Sequence, residues 1–121
     1  MSNPVIHFEI AGRDAERLTS FYRELFDWQL QPAGPDYWLV PPEAGGIGGG
    51  LMHARADMPA YLTVYVAVDD LRETLDRAAE LGATTAVEPM DIPGIGSFAM
   101  FTDPDGNLVG LLRENRDVEP R

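Results

Sequence analysis

No cysteine occurs in the 121 residues, which excludes disulfides, thiol nucleophiles and cysteine-based zinc or iron–sulfur centres and agrees with a reducing compartment. Basic residues are scarce: 9 Lys and Arg stand against 20 Asp and Glu, for a formal net charge of −11 and a pI near 4.3. Such a field repels phosphate backbones and anionic lipid surfaces, so it argues against nucleic acid or a membrane as partner and favours the approach of a cationic or neutral ligand. No apolar run reaches the roughly 18 residues of a membrane span, and Met1-Ser2-Asn3-Pro4 lacks the basic and apolar regions of a signal peptide. The expected location is the cytoplasm. The glycine-rich run Ile47-Gly48-Gly49-Gly50-Leu51-Met52-His53 lacks a Gly-Lys-Ser/Thr ending and fits no G-x-G-x-x-G register, which removes nucleotide binding. Glycines that let another backbone or a ligand come close are the better account of it.

What is present is enough for one real core, since 45% of the residues are hydrophobic. Val5 to Ile10 alternates, with Ile6, Phe8 and Ile10 on one side and Val5, His7 and Glu9 on the other, so it reads as a half-buried strand with a polar second face. Leu18, Phe21, Tyr22 and Leu25 follow at helical spacing behind a capping Asp14 and predict an amphipathic helix ending near Phe26-Asp27. Short strands are expected at Trp28 to Gln31 and Tyr37 to Val40, split by Pro32-Ala33-Gly34-Pro35-Asp36.

Beyond a polar connection at 54–60, Tyr61 to Val68 alternates strictly. A second helix then opens on Asp70 and Glu73 at capping-box spacing, carries the stripe Leu71, Leu75, Ala78 and Leu81, and closes at Gly82. Thr84 to Val87 is a strand candidate and Glu88 to Gly96 a loop. Ser97 to Leu112 is a hairpin whose turn, Asp103-Pro104-Asp105-Gly106, has Pro preset for the second turn position and Asp able to bond its own backbone. The tail from Asn115 to Arg121 has little to bury and is expected to fray.

The order strand, helix, strand, strand, strand is thus read twice, and His7 to Thr63 and Asp14 to Asp70 each span 56 residues. One α+β domain of two βαβββ modules, about 4–53 and 61–114, is the expected architecture, with a curved mixed sheet around a cleft. His7, Glu9, Thr63 and Tyr65 sit on the faces left for that cleft, the default ligand site.

These residues resemble the vicinal oxygen chelate superfamily of glyoxalases, bleomycin resistance proteins and extradiol dioxygenases. The resemblance rests on Ile6-His7-Phe8-Glu9-Ile10, on Phe21-Tyr22-Arg23-Glu24-Leu25-Phe26-Asp27-Trp28, on Val66-Ala67-Val68-Asp69-Asp70-Leu71 and on Phe101 to Leu111 with its Asp-Pro-Asp-Gly turn. It implies a divalent metal held by one side chain from the first and last strand of each module, at His7, Gly50, Thr63 and Gly110. Only His7 ligates well, so the usual metal site looks lost, with His7 a possible ligand. It also implies a homodimer.

Candidate catalytic groups are therefore His7 and Glu9, with Glu9 expected to hold His7 as a cation. Gly50, Thr63, Tyr65, Met100 and Gly110 are the candidate ligand-binding positions. The two glycines leave space there unless neighbours collapse into it. A rescued metal site from His7, Glu9 and His53 is conceivable, although alternation turns His53 away from Gly50 and Met52. Asp103 and Asp105 are explained by their turn. Trp28, Tyr37 and Trp38 rim either a pocket or a subunit interface. Three readings remain open: a metal-independent binder of a small organic molecule, cationic or aromatic; a glyoxalase-like lyase or isomerase using His7; and a structural subunit whose cleft is filled by its own side chains.

Overall fold

The computed structural model describes residues 2–115. The element order is β1 (Val5–Gly12), α1 (Ala15–Phe26), β2 (Gln31–Pro32), β3 (Tyr37–Val40), β4 (Gly48–His53), β5 (Tyr61–Ala67), α2 (Leu71–Glu80), β6 (Thr84–Ile92), β7 (Gly96–Thr102) and β8 (Leu108–Glu114). This is the βαβββ pattern twice, in an α+β fold. Sheet pairing is mixed: β1 with β4 and β5 with β8 are parallel, the remaining registered pairs antiparallel. Among the described residues no helix is long and apolar enough to cross a membrane.

Two compact units result, residues 6–64 and, of the remaining described residues, 2–5 with 65–115. In the first, the strand order is β2-β3-β4-β1, with the start of β5 beside β1. Ile10, Val40 and Leu51 form its buried centre, joined by Phe8, Leu18, Tyr22, Trp28, Leu30 and Trp38. The Asp14 carboxylate caps α1 by accepting from the Arg17 N–H at 3.1 Å, which satisfies a backbone donor the helix itself leaves open. The 54–60 connection is pinned to this unit by Arg13, whose guanidinium donates to the carbonyls of Arg55 (2.6 Å) and Met58 (2.7 Å).

The second unit has the order β5-β8-β7-β6, and α2 lays Leu71 and Leu75 against Ala99 and Leu111. Asp70 caps α2 through the Glu73 N–H at 2.9 Å. The expected hairpin forms with Thr102 opposite Leu108. Its turn is organised by Asp103, whose carboxylate accepts from the backbone of Asp105 and Asn107 and from the Asn107 amide, each at 2.9 Å. The side-chain bond from Asn107, followed by the backbone donors, holds the Asp103 pKa below its ordinary value. Gly106 has φ +91°, a left-handed conformation open to glycine at little cost.

Four expectations need correction. Trp28 to Leu30 is not strand: Asp27 turns the chain in the left-handed region (φ 60°, ψ 33°), and Trp28 stacks on Tyr22 at 5.3 Å and 11° and meets Phe8 at 5.6 Å. Trp28 thereby fills the core beside the last turn of α1, so Phe21 (55% exposed) and Leu25 face solvent instead of completing the stripe. Leu81 lies beyond the last turn of α2 and is 62% exposed. Finally, β6 continues through Pro89 to Ile92 where a loop was expected. It is an edge strand, where a missing N–H costs no ladder bond, and its register shifts between Thr85 and Val87 and between Val87 and Met90. The tail beyond Asn115 lies outside the described residues; Asn115 itself donates its N–H to the Ile95 carbonyl at 2.7 Å.

Burial separates the two leucines of the α2 stripe. Leu75, 1% exposed, should lose roughly 2–5 kcal/mol on substitution by Ala, whereas Leu81→Ala should stay within about 0.5 kcal/mol of the parent. Urea midpoints at unchanged m measure both; equal losses would mean that α2 continues and buries Leu81.

Candidate functional site

The polar face of β1 carries His7 and Glu9, and the structure completes it with two tyrosines. Glu9 is 5% exposed. A buried carboxylate is tolerated only with hydrogen-bond donors around it. Tyr61, at the start of β5, donates its hydroxyl to Glu9 Oε2 at 2.6 Å and also lies 3.8 Å from the Met52 sulfur. Tyr37, on β3, donates to Glu9 Oε1 at 3.5 Å and sits 3.1 Å from His7 Nε2. His7, Tyr37, Glu9 and Tyr61 thus form one connected network inside the first unit.

The reach of Tyr37 depends on Gly50. In the order β3-β4-β1, a side chain on β3 must cross β4 to arrive at β1, a distance of two strand spacings, roughly 9–10 Å. Gly50 is the β4 residue opposite both Leu39 on β3 and Glu9 on β1. A Cβ there would overlap the hydroxyl and ring of Tyr37. The ring passes over the glycine and brings its hydroxyl between the two β1 side chains.

Electrostatics follow from this burial. Desolvation, then the charge of Glu9 and its hydrogen bond, push the Tyr37 phenol well above its ordinary pKa. The Tyr61 phenol is raised as well, by desolvation first, then the bond to Glu9 and its charge. His7 is half-buried, and desolvation lowers its pKa. The expectation that Glu9 keeps His7 cationic is therefore reversed: the imidazole is favoured neutral, with the Tyr37 hydroxyl at Nε2.

The remaining sequence-predicted positions are placed as follows. Thr63 is buried in the first unit. In the second unit Tyr65 and Met100 are buried, and Tyr65 also contacts Phe98 at 6.4 Å between ring centroids. Gly110 is the register partner of Tyr65, whose ring a Cβ at Gly110 would overlap. The space expected at Gly50 and Gly110 is thus occupied by the rings of Tyr37 and Tyr65. His53 is exposed at the other end of β1 from His7, opposite Gly12. Among the described residues no group of three or more His, Cys, Asp or Glu could hold a metal ion, so the rescue set of His7, Glu9 and His53 is not assembled. Of the four family metal positions, the two glycines carry no donor and are covered by phenol rings; this donor set does not fit a divalent metal.

Tyr61 was not among the expected site residues, and Tyr37 was expected only at the rim of a pocket or a subunit interface, not bonded to His7 and Glu9. Tyr61 was findable, since it precedes Thr63 by two on the same strand face. Tyr37 was not, because it reaches His7 only through the pairing of β3 with β4. A hollow of about 320 Å³ beside the start of α1 is lined by Gly12, Arg13, Asp14, Arg17, Leu18 and Phe21. It offers less chemistry than the network: Arg13 is committed to backbone carbonyls and Asp14 to the helix cap.

Comparison with known proteins adds the following. A family model described as "Glyoxalase/Bleomycin resistance protein/Dioxygenase superfamily" matches residues 5–111. The protein named "Putative glyoxylase CFP32" from Mycobacterium bovis is 35% identical over 81 residues, covering 67% of this chain and 31% of that protein. "Anthracycline biosynthesis protein DnrV" from Streptomyces peucetius is 26% identical over 125 residues, covering 88% of this chain and 46% of that protein. The chain therefore spans about a third of the first relative and under half of the second. The solved structure of a glyoxalase/bleomycin resistance protein/dioxygenase superfamily member from Vibrio splendidus 12B01 superposes with a TM-score of 0.65 at 17% identity, covering 93% of this chain and 100% of that one.

Two measurements check the network. Gly50→Ala should cost about 1–3 kcal/mol by overpacking, and Tyr37→Ala in the same chain should recover part of it, with a coupling of about 0.5–3 kcal/mol. Strict additivity would place the ring elsewhere. In an alkaline titration, Tyr37 and Tyr61 should ionise late. Because the folded pKa of Tyr37 and Tyr61 lies above the unfolded value of about 10, their contribution is complete below about pH 10 and is lost as pH rises through the folded value. Phenolate absorbance should show a delayed step that Tyr61→Phe reduces; a delayed step unchanged in Tyr61→Phe, or none at all, would refute the burial of this phenol.

Proposed function

The chain belongs to the glyoxalase/bleomycin resistance protein/dioxygenase superfamily, and on that premise we propose that it binds a small organic molecule on the His7, Glu9, Tyr37 and Tyr61 face without the divalent metal of its active relatives. The observation that carries this reading is the pair of ring-covered glycines, Gly50 under Tyr37 and Gly110 under Tyr65. At these two of the four family metal positions the chain offers no donor, and a phenol ring lies over each. What remains at the β1 face is a hydrogen-bonding set: an imidazole favoured neutral, two phenols and a carboxylate.

That set, with the net charge of −11, suits a ligand that is aromatic, cationic, or both. Phenol rings offer faces to an organic cation, and the Glu9 carboxylate supplies the opposite charge. The buried Thr63 stands on β5 two residues after Tyr61, within the same unit. A cytoplasmic homodimer is part of this reading.

A second reading is favoured by one observation. Burial lowers the His7 pKa, and a neutral imidazole can take a proton at pH 7. With a relative bearing a glyoxylase name, His7 as general base of a lyase or isomerase follows, Glu9 and the tyrosines holding the network around it.

A thermal-shift screen separates these readings. Aromatic amines should raise the melting temperature by mass action, more than their uncharged isosteres do, and Glu9→Gln should abolish that difference. No shift from any cationic or aromatic compound would sink the binding reading. Stoichiometric divalent metal in the purified protein, lost in His7→Ala, would overturn the metal-free premise. For any substrate found to turn over, His7→Ala should remove activity; survival of the rate would show that His7 is not the base.

A further inference from the structure

We propose that Tyr37 is a positioning residue that fixes the tautomer of His7, with the proton on Nε2 and the basic lone pair on Nδ1. A neutral imidazole donates from one nitrogen and accepts at the other, and its partners decide which. The phenol of Tyr37 has one proton to give and two neighbours to choose between, Glu9 Oε1 at 3.5 Å and His7 Nε2 at 3.1 Å.

Charge decides the choice. A carboxylate attracts the hydroxyl proton more strongly than a neutral ring nitrogen does, because hydrogen bonds to ionised acceptors are roughly twice as strong as neutral ones. Surroundings of low dielectric sharpen that preference. Once the Tyr37 proton points to Glu9, its oxygen has only lone pairs to offer, and Nε2 at 3.1 Å satisfies them by donating N–H. The chain of donors then runs in one direction, from His7 Nε2–H to Tyr37 and from Tyr37 O–H to Glu9. Tyr61 donates to the second carboxylate oxygen at 2.6 Å and holds Glu9 in place as the acceptor.

The crossing over Gly50 makes this arrangement possible. A Cβ at that position would overlap the Tyr37 hydroxyl, so the same glycine that removes a family metal position admits the phenol that orients the imidazole. The inference rests on reading His7 as the acid–base group of this site, and it concerns the ligand-free protein.

The test is nitrogen NMR on protein labelled in its histidine rings. With only two histidines, His7 and His53, a His53→Gln sample assigns the signals. Wild-type His7 should show a protonated, pyrrole-like Nε2 and a pyridine-like Nδ1, at a pH where the ring is neutral. Tyr37→Phe, which keeps the ring over Gly50 and removes only the hydroxyl, should lose that single tautomer and give a mixture. A wild-type His7 protonated on Nδ1 would overturn the proposal, because Tyr37 would then be donating to the ring. An unchanged tautomer in folded Tyr37→Phe would overturn it too. The wild-type spectrum decides the first point even if the variant fails to fold. Since no ligand enters the measurement, its outcome is separate from that of the ligand screen.

Discussion

Glu9 is a carboxylate on a sheet face with 5% of its surface exposed, and the arrangement of the first unit follows from keeping it satisfied. Leaving such a group without donors would cost several kcal/mol, and removing a partner from a buried charged group leaves the other uncompensated. The donors come from two directions. Tyr61 arrives from the start of β5, next to β1, and Tyr37 arrives from β3, over β4. Each of those placements constrains a strand register, so the carboxylate ties β1, β3 and β5 together. Among the described residues no buried side-chain nitrogen or oxygen is left without a partner.

The glycines of β4 are the other half of that constraint. Gly49 and Gly50 point to opposite faces, as successive residues of a strand must. A Cβ on Gly49 would overlap the Phe8 ring, which belongs to the core with Trp28 and Leu51; one on Gly50 would overlap Tyr37. One ring covers the strand on its apolar side and one on its polar side. Glycine weakens a strand by its missing side chain, and a ring laid across it restores the lost packing. The run that resembled a phosphate loop in composition is therefore an extended strand clasped between two aromatic rings. Gly110 under Tyr65 repeats the device in the second unit, the ring belonging, as Phe8 does at Gly49, to the residue directly opposite in register.

Much of this was legible in the residue order, and the limits are physical. The two capping aspartates, the alternation of β1 and β5 and the Asp103 turn each use contacts within four residues, so local chemistry reveals them. The ends of the helical stripes were misread because what covers a helix is tertiary. Periodicity shows that Leu25 can face a core; only the return of Trp28 after Asp27 shows that the place is taken. Pro89 reads as a loop residue because a proline interrupts a ladder, yet an edge strand has a side with no ladder to interrupt. The site was legible in its β1 half, His7 and Glu9, which share a strand face two residues apart. Its other half lies 28 residues from Glu9 at Tyr37 and 52 at Tyr61, and no spacing rule spans such separations without the register of the intervening strands.

In the proposed site, a hydrogen-bonded network handles charge differently from a metal. A divalent ion supplies a fixed positive charge; phenols, an imidazole and a carboxylate supply donors and acceptors whose balance depends on where protons rest. Here the two phenols are held protonated far into the alkaline range by burial and by Glu9. They donate but do not exchange protons near neutrality. In the proposed site, proton movement to or from a ligand accordingly falls on His7. The imidazole is favoured neutral by its burial, so a ligand that protonates it creates a cation beside the Glu9 carboxylate, with Tyr37 between them. In the proposed site, separating those charges across one phenol, instead of burying a lone imidazolium, would let the neutral ring serve as a base.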